Sequence, residues 1–258
     1  MLTDTQAREA FHFTLLRRLV GQVPEGLRLK GGVNLRLFFG SVRYSEDMDL
    51  DADLRLQPRL VDQLQRIIVA PDYRKELLQL GIEDVSTAPS PAKTTDTTLR
   101  FKVAVVKGGV ALPTKVEVSF RGSTPVGWAV RDTPDPTVLT PYFPAGIPPF
   151  DVAHYPHQIA VWQKVNALAT RGGVQARDIF DLNWLFDEQR FGAPSPAVLQ
   201  FLRDWHPLGN LETARDRCLE IRLLVHGHLD TAITLSVTPE PAAPTQMTPA
   251  PAKPRRSR

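Results

Sequence analysis

The sequence predicts an α+β chain, with a small mixed β-sheet in the N-terminal half and a helical C-terminal half. Three observations predict it. Residues 44–54 alternate, with Asp47, Asp49, Asp51 and Asp53 on one side and Met48, Leu50, Ala52 and Leu54 on the other, and a period of two is a strand signal. Two more strand-like runs, 98–106 and 114–120, flank Lys107-Gly108-Gly109, the composition of a hairpin turn. From Pro156 onward the apolar residues recur at helical spacing.

In chain order, Ala10, Phe11, Leu15, Leu16 and Leu19 give residues 5–20 one apolar helical face. A short Leu27–Leu29 segment leads into Lys30-Gly31-Gly32. A helix is expected over 33–39 and stops at Gly40-Ser41. After the 44–54 strand, residues 58–80 read as helical with a break near Pro71. Residues 121–154 are rich in proline and glycine and read as a long connection, which inside a domain is often functional. Helices follow at 157–170, 175–188, 195–204 and 211–230. The last 22 residues hold six prolines and few bulky apolar groups, so disorder is expected. The resulting division is an α/β domain over 1–150, a helical domain over 151–235 that completes the site, and a basic tail over 236–258.

Composition sets outer bounds. The net charge of +3 is carried by that tail, where Lys253, Arg255, Arg256 and Arg258 stand against Glu240 alone, so the body is near neutral. Bulk charge therefore gives no support to nucleic-acid binding, which has to be argued from local sites. The only cysteine, Cys218, rules out an intrachain disulfide. No apolar run approaches the roughly 18–20 residues of a membrane span, and the first 20 residues lack the apolar centre of a signal peptide. A cytoplasmic protein with no membrane partner is expected.

The densest chemical signal runs from Lys30-Gly31-Gly32 through Arg43-Tyr44-Ser45-Glu46-Asp47-Met48-Asp49-Leu50. Asp47 and Asp49 lie two apart on a strand, so their carboxylates share a face and repel. A divalent cation relieves that repulsion, and oxygen-only ligands suit magnesium or manganese. Gly31 and Gly32 let a phosphate approach the backbone, and if they open a helix its free N–H groups face the anion. A lone Asp-x-Asp is common on exposed strands, and Gly-Gly can be a plain turn. It is their combination within about 20 residues that points to a triphosphate–metal site. Lys115-Val116-Glu117 supplies a third carboxylate, Glu117; the structural alternative is a Lys115–Glu117 surface pair on an edge strand.

Further on, Lys164 shares a helical stripe with Ala160, Ala167 and Leu168, where it needs an anion or a route to solvent. Asp178 and Asp181 lie three apart on one helical face. They are either functional or structural, Asp181 by pairing with Arg177 and Asp178 by capping the helix start.

These segments, with Gln163-Lys164-Val165-Asn166-Ala167-Leu168 and Arg177-Asp178-Ile179-Phe180-Asp181-Leu182, resemble the AbiEii-type nucleotidyltransferase toxins, a branch of the polymerase-beta-like nucleotidyltransferase superfamily. They stand in the family's order over residues 25–190. The resemblance implies a nucleotidyltransferase fold and a toxin of a type IV toxin–antitoxin or phage-defence system. Such a toxin moves nucleotides from an NTP, often a pyrimidine, to the 3′ end of tRNA and so blocks aminoacylation, with a cognate antitoxin encoded nearby. It further implies Asp47 and Asp49 as catalytic metal ligands and Lys164 as a contact to the triphosphate. Arg43 and Ser45 would line a nucleotide site with Lys30, Gly31 and Gly32, and Asp178 or Asp181 would be a late catalytic acid. Val33 stands where many relatives carry a hydroxyl residue, which removes one donor to phosphate.

The expected reaction is attack of a tRNA 3′ hydroxyl on the α-phosphate of an NTP, with Asp47, Asp49 and Glu117 at the metal and pyrophosphate leaving. Arg36 with Arg43, or Arg171 with Arg177, are the local basic stripes that would guide an acceptor stem. Two other readings share the sequence. One is a small-molecule nucleotidyltransferase of the antibiotic-modifying kind. The other is a non-catalytic partner-binding module with a decayed site, against which intact Asp47, Asp49 and Lys164 argue.

Overall fold

A computed structural model describes residues 2–187 apart from 24, 89, 90, 92, 123–125, 171–174 and 186. The two helices expected at 195–204 and 211–230, and the tail expected over 236–258, lie outside the described residues.

The first helix, α1 (Asp4–Gln22), starts at Thr3. The Thr3 hydroxyl accepts from the Gln6 N–H, and the Gln6 side chain accepts from the Thr3 N–H. This reciprocal pair satisfies two donors that the first turn leaves over. Strand β1 (Leu27–Lys30) runs straight into α2 (Gly31–Phe38), and β2 (Asp47–Ala52) follows. The Pro71 break is real: α3 (Gln57–Val69) and α4 (Pro71–Gln79) are separate helices, with Ala70 extended between them. Two short strands absent from the sequence reading come next, β3 (Asp84–Thr87) and β4 (Lys93–Thr95).

The hairpin of β5 (Thr98–Lys107) and β6 (Val110–Ser119) is longer than expected. Its turn is Gly108-Gly109, with φ of 58° and 73° and Lys107 opposite Val110. Two successive positive φ angles match the right-handed twist of the strands, and glycine adopts them without a Cβ clash. The segment read as one long connection carries structure of its own: β7 (Val130–Asp132), α5 (Pro136–Leu139) and β8 (Val152–His154). Three-residue strands are too short for a period-two pattern to show, so the prolines and glycines around them dominated. Helices α6 (His157–Thr170) and α7 (Ala176–Leu185) lie where helical spacing put them.

The sheet is mixed, as expected, but larger, with eight strands among the described residues, in the order β3-β5-β6-β2-β1-β8-β7 and β4 also on β5. A division at residue 150 falls between β7 and β8, which pair with each other in this sheet. One face of the sheet is apolar. Met48, Leu50, Val116, Val118, Leu99, Phe101, Val103 and Val105 are buried there in one cluster with Phe11, Leu15, Leu60, Leu64 and Ile67 from α1 and α3. Burying each such side chain stabilises the fold by about 1.5–3 kcal/mol. A second, smaller core joins α2 to α6 and α7 through Leu35, Ala160, Val161, Val165, Leu182 and Leu185. Helix α2 thus lies between two cores, Val33 and Leu37 in the first and Leu35 in the second. Among the described residues no helix is long and apolar enough to cross a membrane.

Candidate active site

The polar face of the sheet carries the acids. Asp47 and Asp49 project to one side of β2, while Met48 and Leu50 enter the core. Strand β6 lies parallel to β2, with Lys115 in register with Asp47 and Glu117 with Asp49. Adjacent strands are about 4.8 Å apart, so Asp49 and Glu117 stand side by side. The register sets the three carboxylates at neighbouring positions on two strands.

Cations surround the acids. Lys115 Nζ lies 2.7 Å from Asp47 Oδ2, and the Arg100 guanidinium lies 2.6 Å from Glu117 Oε2. This replaces the Lys115–Glu117 surface pair considered from the sequence, because β6 is an inner strand and each residue finds its partner on a neighbouring one. Lys30 Nζ donates to Asp51 Oδ1 at 2.5 Å, and the Tyr155 hydroxyl donates to Asp51 Oδ2 at 2.8 Å. Asp53, read as a fourth acid of the row, lies past the end of β2 and pairs with Arg28 and Arg55. Burial holds Asp49 above the usual carboxylate range. The positive charge of Lys30 opposes this, Glu117 and Asp47 reinforce it, and Lys164 opposes it.

The glycines are there for close approach. Gly31 has φ of 69°, which turns the chain from β1 into α2, and a Cβ there would lie 2.6 Å from Asp49 Oδ2. A Cβ on Gly32 would lie 2.6 Å from Ser45 Oγ and 3.0 Å from Arg43 Nη2. The start of α2 is therefore packed directly against Asp49, Ser45 and Arg43. No side chain caps that start, so its first N–H groups have no N-cap partner. Ser45 Oγ donates to the Asp47 carbonyl at 2.8 Å and shapes the entry into β2.

Helices α6 and α7 bring the remaining charges. Asp181 is fully buried and accepts two bonds of 2.8 Å from Arg43, one from Nε and one from Nη2. Lys164 Nζ lies 2.6 Å from Asp181 Oδ2 and 3.3 Å from Asp178 Oδ1. Burial alone would raise Asp181, but Lys164 and Arg43 outweigh it and hold the carboxyl below its ordinary range. The Arg177–Asp181 pair expected along one helix is not what forms. Arg177 is exposed, and Asp181 turns inward to Arg43 from 138 residues away. The anion that Lys164 required on its apolar stripe is thus supplied by Asp178 and Asp181.

The structure brings together every residue singled out for the site: Lys30, Gly31, Gly32, Arg43, Ser45, Asp47, Asp49, Glu117, Lys164, Asp178 and Asp181. Two residues were missed. Arg100 had a signal, since counting outward in pairs from Gly108-Gly109 sets it opposite Glu117. Tyr155 had none, because β8 gave no pattern.

Asp47, Asp49 and Glu117 offer oxygen donors alone, packed close enough that burial and mutual repulsion disfavour the charged form of Asp49. That donor set fits magnesium or manganese. Among the described residues no three acid, histidine or cysteine side chains already stand in ligating geometry. Asp47 and Glu117 are each turned toward a cation instead.

Residues 14–238 match the sequence model of a family described as nucleotidyl transferase AbiEii toxin, type IV TA system. Comparison with curated proteins gives no match. The fold is similar to that of an H. pylori protein assigned as a nucleotidyltransferase, with a TM-score of 0.53 and 17% identity over 90% of this chain and 98% of that one. JHP933 from Helicobacter pylori aligns with a TM-score of 0.48 and 19% identity, over 88% of this chain and 96% of that one. The antibiotic-resistance factor ANT(2'')-Ia aligns at 0.44 and 13%, over 88% of this chain and 100% of that one. The shared fold rests on the first of these.

Proposed function

The chain belongs to the AbiEii nucleotidyltransferase toxin family, and from that premise we propose that this nucleotidyltransferase adds a nucleotide from an NTP, preferably a pyrimidine, to the 3′ end of tRNA. Membership implies an NTP substrate and an antitoxin partner. The proposal extends to blocked aminoacylation, arrested growth in the cytoplasm, and a place in phage defence.

The observation that carries the reading is the register of Asp47, Asp49 and Glu117 on neighbouring strands, with Lys30 and Lys164 both acting on Asp49. These three acids would hold magnesium or manganese, which would neutralise charge on the phosphates and favour the deprotonated acceptor hydroxyl. The acceptor oxygen forms its bond to the α-phosphorus, and the bond to pyrophosphate breaks. The protein's share is positioning and electrostatics. The free N–H groups at the start of α2 face the triphosphate, and Gly31 and Gly32 keep that approach open. Arg43 and Lys164 are held rigid by Asp181 and present fixed positive charge. Asp181 and Asp178 act in this scheme as anchors for those cations.

Incubation of the full chain with labelled NTPs, tRNA and magnesium tests the proposal. Asp49→Ala is expected to lower label transfer about a hundredfold or more. Wild-type transfer no greater than that of Asp49→Ala sinks it. Sequencing tRNA 3′ ends after induced expression identifies the nucleotide and the acceptor.

A further inference from the structure

Of the two arginine stripes that the sequence offered as acceptor guides, the Arg36–Arg43 one does not form. Arg36 turns inward to Glu9 at 2.9 Å and Arg43 to Asp181, while Arg171 lies outside the described residues. The basic surface beside the acids lies instead on the polar side of the β5–β6 hairpin. Lys102 stands directly opposite Lys115, and Arg100 opposite Glu117. Because Lys115 is also in register with Asp47, the row Asp47, Lys115, Lys102 runs without a break from the acid cluster across three strands.

The charges along this row are unequally answered. Lys115 is paired with Asp47, and Arg100 with Glu117. Lys102 is exposed and, among the described residues, has no acid within ion-pair distance. Like charges directly opposite on neighbouring strands are destabilising, so this arrangement invites an external anion. Lys102 lies two strand spacings from Asp47, about 10 Å. Beside Lys102 on this side of the sheet stand Ser86, Ala104 and Pro113, none of them an aromatic on which a base could stack.

We infer that the polar side of β5 and β6, centred on Lys102 beside Lys115, is where the phosphodiester backbone of a polynucleotide acceptor docks as its 3′ hydroxyl reaches Asp49. The inference rests on the nucleotidyl-transfer reading above and adds the acceptor's path and its manner of recognition. Contact is to phosphates and not to base edges, so it carries affinity without sequence preference. A small acceptor without phosphates gains nothing from it.

The test is fluorescence anisotropy of the full chain with labelled tRNA and no NTP, across a salt series. Lys102→Gln is expected to weaken binding about threefold or more and to reduce the slope of log affinity against log salt by about one, the mark of one lost phosphate contact. Lys102→Glu weakens it further. Lys75→Gln, an exposed lysine on α4, behaves as wild type. Wild-type affinity and salt slope in both Lys102 variants overturn the inference, as does equal loss in Lys75→Gln. The two readings separate cleanly. If tRNA affinity depends on Lys102 but labelled NTP is never transferred, the docking surface stands and the transfer reading falls. If transfer is intact and tRNA affinity ignores Lys102, the reverse holds.

Discussion

Asp181 answers two cations at once, and that makes it the most exposed point of failure among the charged residues. Arg43 grips both of its oxygens and Lys164 approaches one of them, all in a buried setting. Removing the charge leaves two buried cations sharing Asp178. Breaking one side of a buried pair costs about 3–5 kcal/mol. Asp181→Asn is expected to lower stability in denaturant titration by that order and to raise KM for NTP, since Arg43 and Lys164 lose their common anchor. A variant with wild-type stability and KM contradicts the anchoring role. The acids themselves were readable from spacing. Their partners were not, because spacing along a helix reports neighbours three or four residues away and Arg43 comes from another part of the chain.

The β1–α2 junction is the element on which the site turns, and its two glycines do different work. Gly31 has a positive φ, so an alanine there suffers backbone strain of about 1–2 kcal/mol and also collides with Asp49. Gly32 has no such backbone demand, and its Cβ would meet the side chains of Ser45 and Arg43. Gly31→Ala is expected to lose both stability and label transfer. Gly32→Ala carries no backbone strain and is expected to lose less stability than Gly31→Ala, while losing affinity for NTP as Ser45 and Arg43 are displaced. Thermal melts beside NTP titration check the contrast, and equal melting losses in the two variants contradict it. The Gly-Gly pair, the strand of alternating acids and the hairpin were legible because each leaves a local signature. Strands β3, β4, β7 and β8 were not, being three or four residues long and held by their neighbours.

At the scale of the whole molecule, His12 ties α1 to the sheet beneath the acids. Its Nε2 lies 2.8 Å from Thr114 Oγ1, and the Thr114 hydroxyl donates to the Glu46 carbonyl at 2.6 Å. Thr114 therefore accepts from His12, which carries its proton on Nε2 and stays neutral. Burial, aided by the charge of Arg8, depresses His12 to about 3 from an ordinary 6.5. Between those values the unfolded chain takes up a proton that the folded chain refuses. Stability linked to His12 is thus complete above pH 6.5 and is lost as pH falls toward 3. Relative to His12→Gln, which keeps a donor to Thr114, the wild type is expected to lose up to about 1.4 kcal/mol per pH unit across that window. Parallel stability curves for the two proteins contradict it.

Period, turn composition and the placing of acids and glycines determined by themselves that the chain is α+β, which face of β2 bears charge, and which motif carries the chemistry. These are local properties, written in residues close together in the chain. Which cation answers which acid, the inward turn of Arg43 and the basic surface around Lys102 were decided by tertiary structure. Charges pair with whatever the strand register and the packing of α2 against α6 and α7 bring near, and that neighbourhood is set by contacts between residues far apart in the chain.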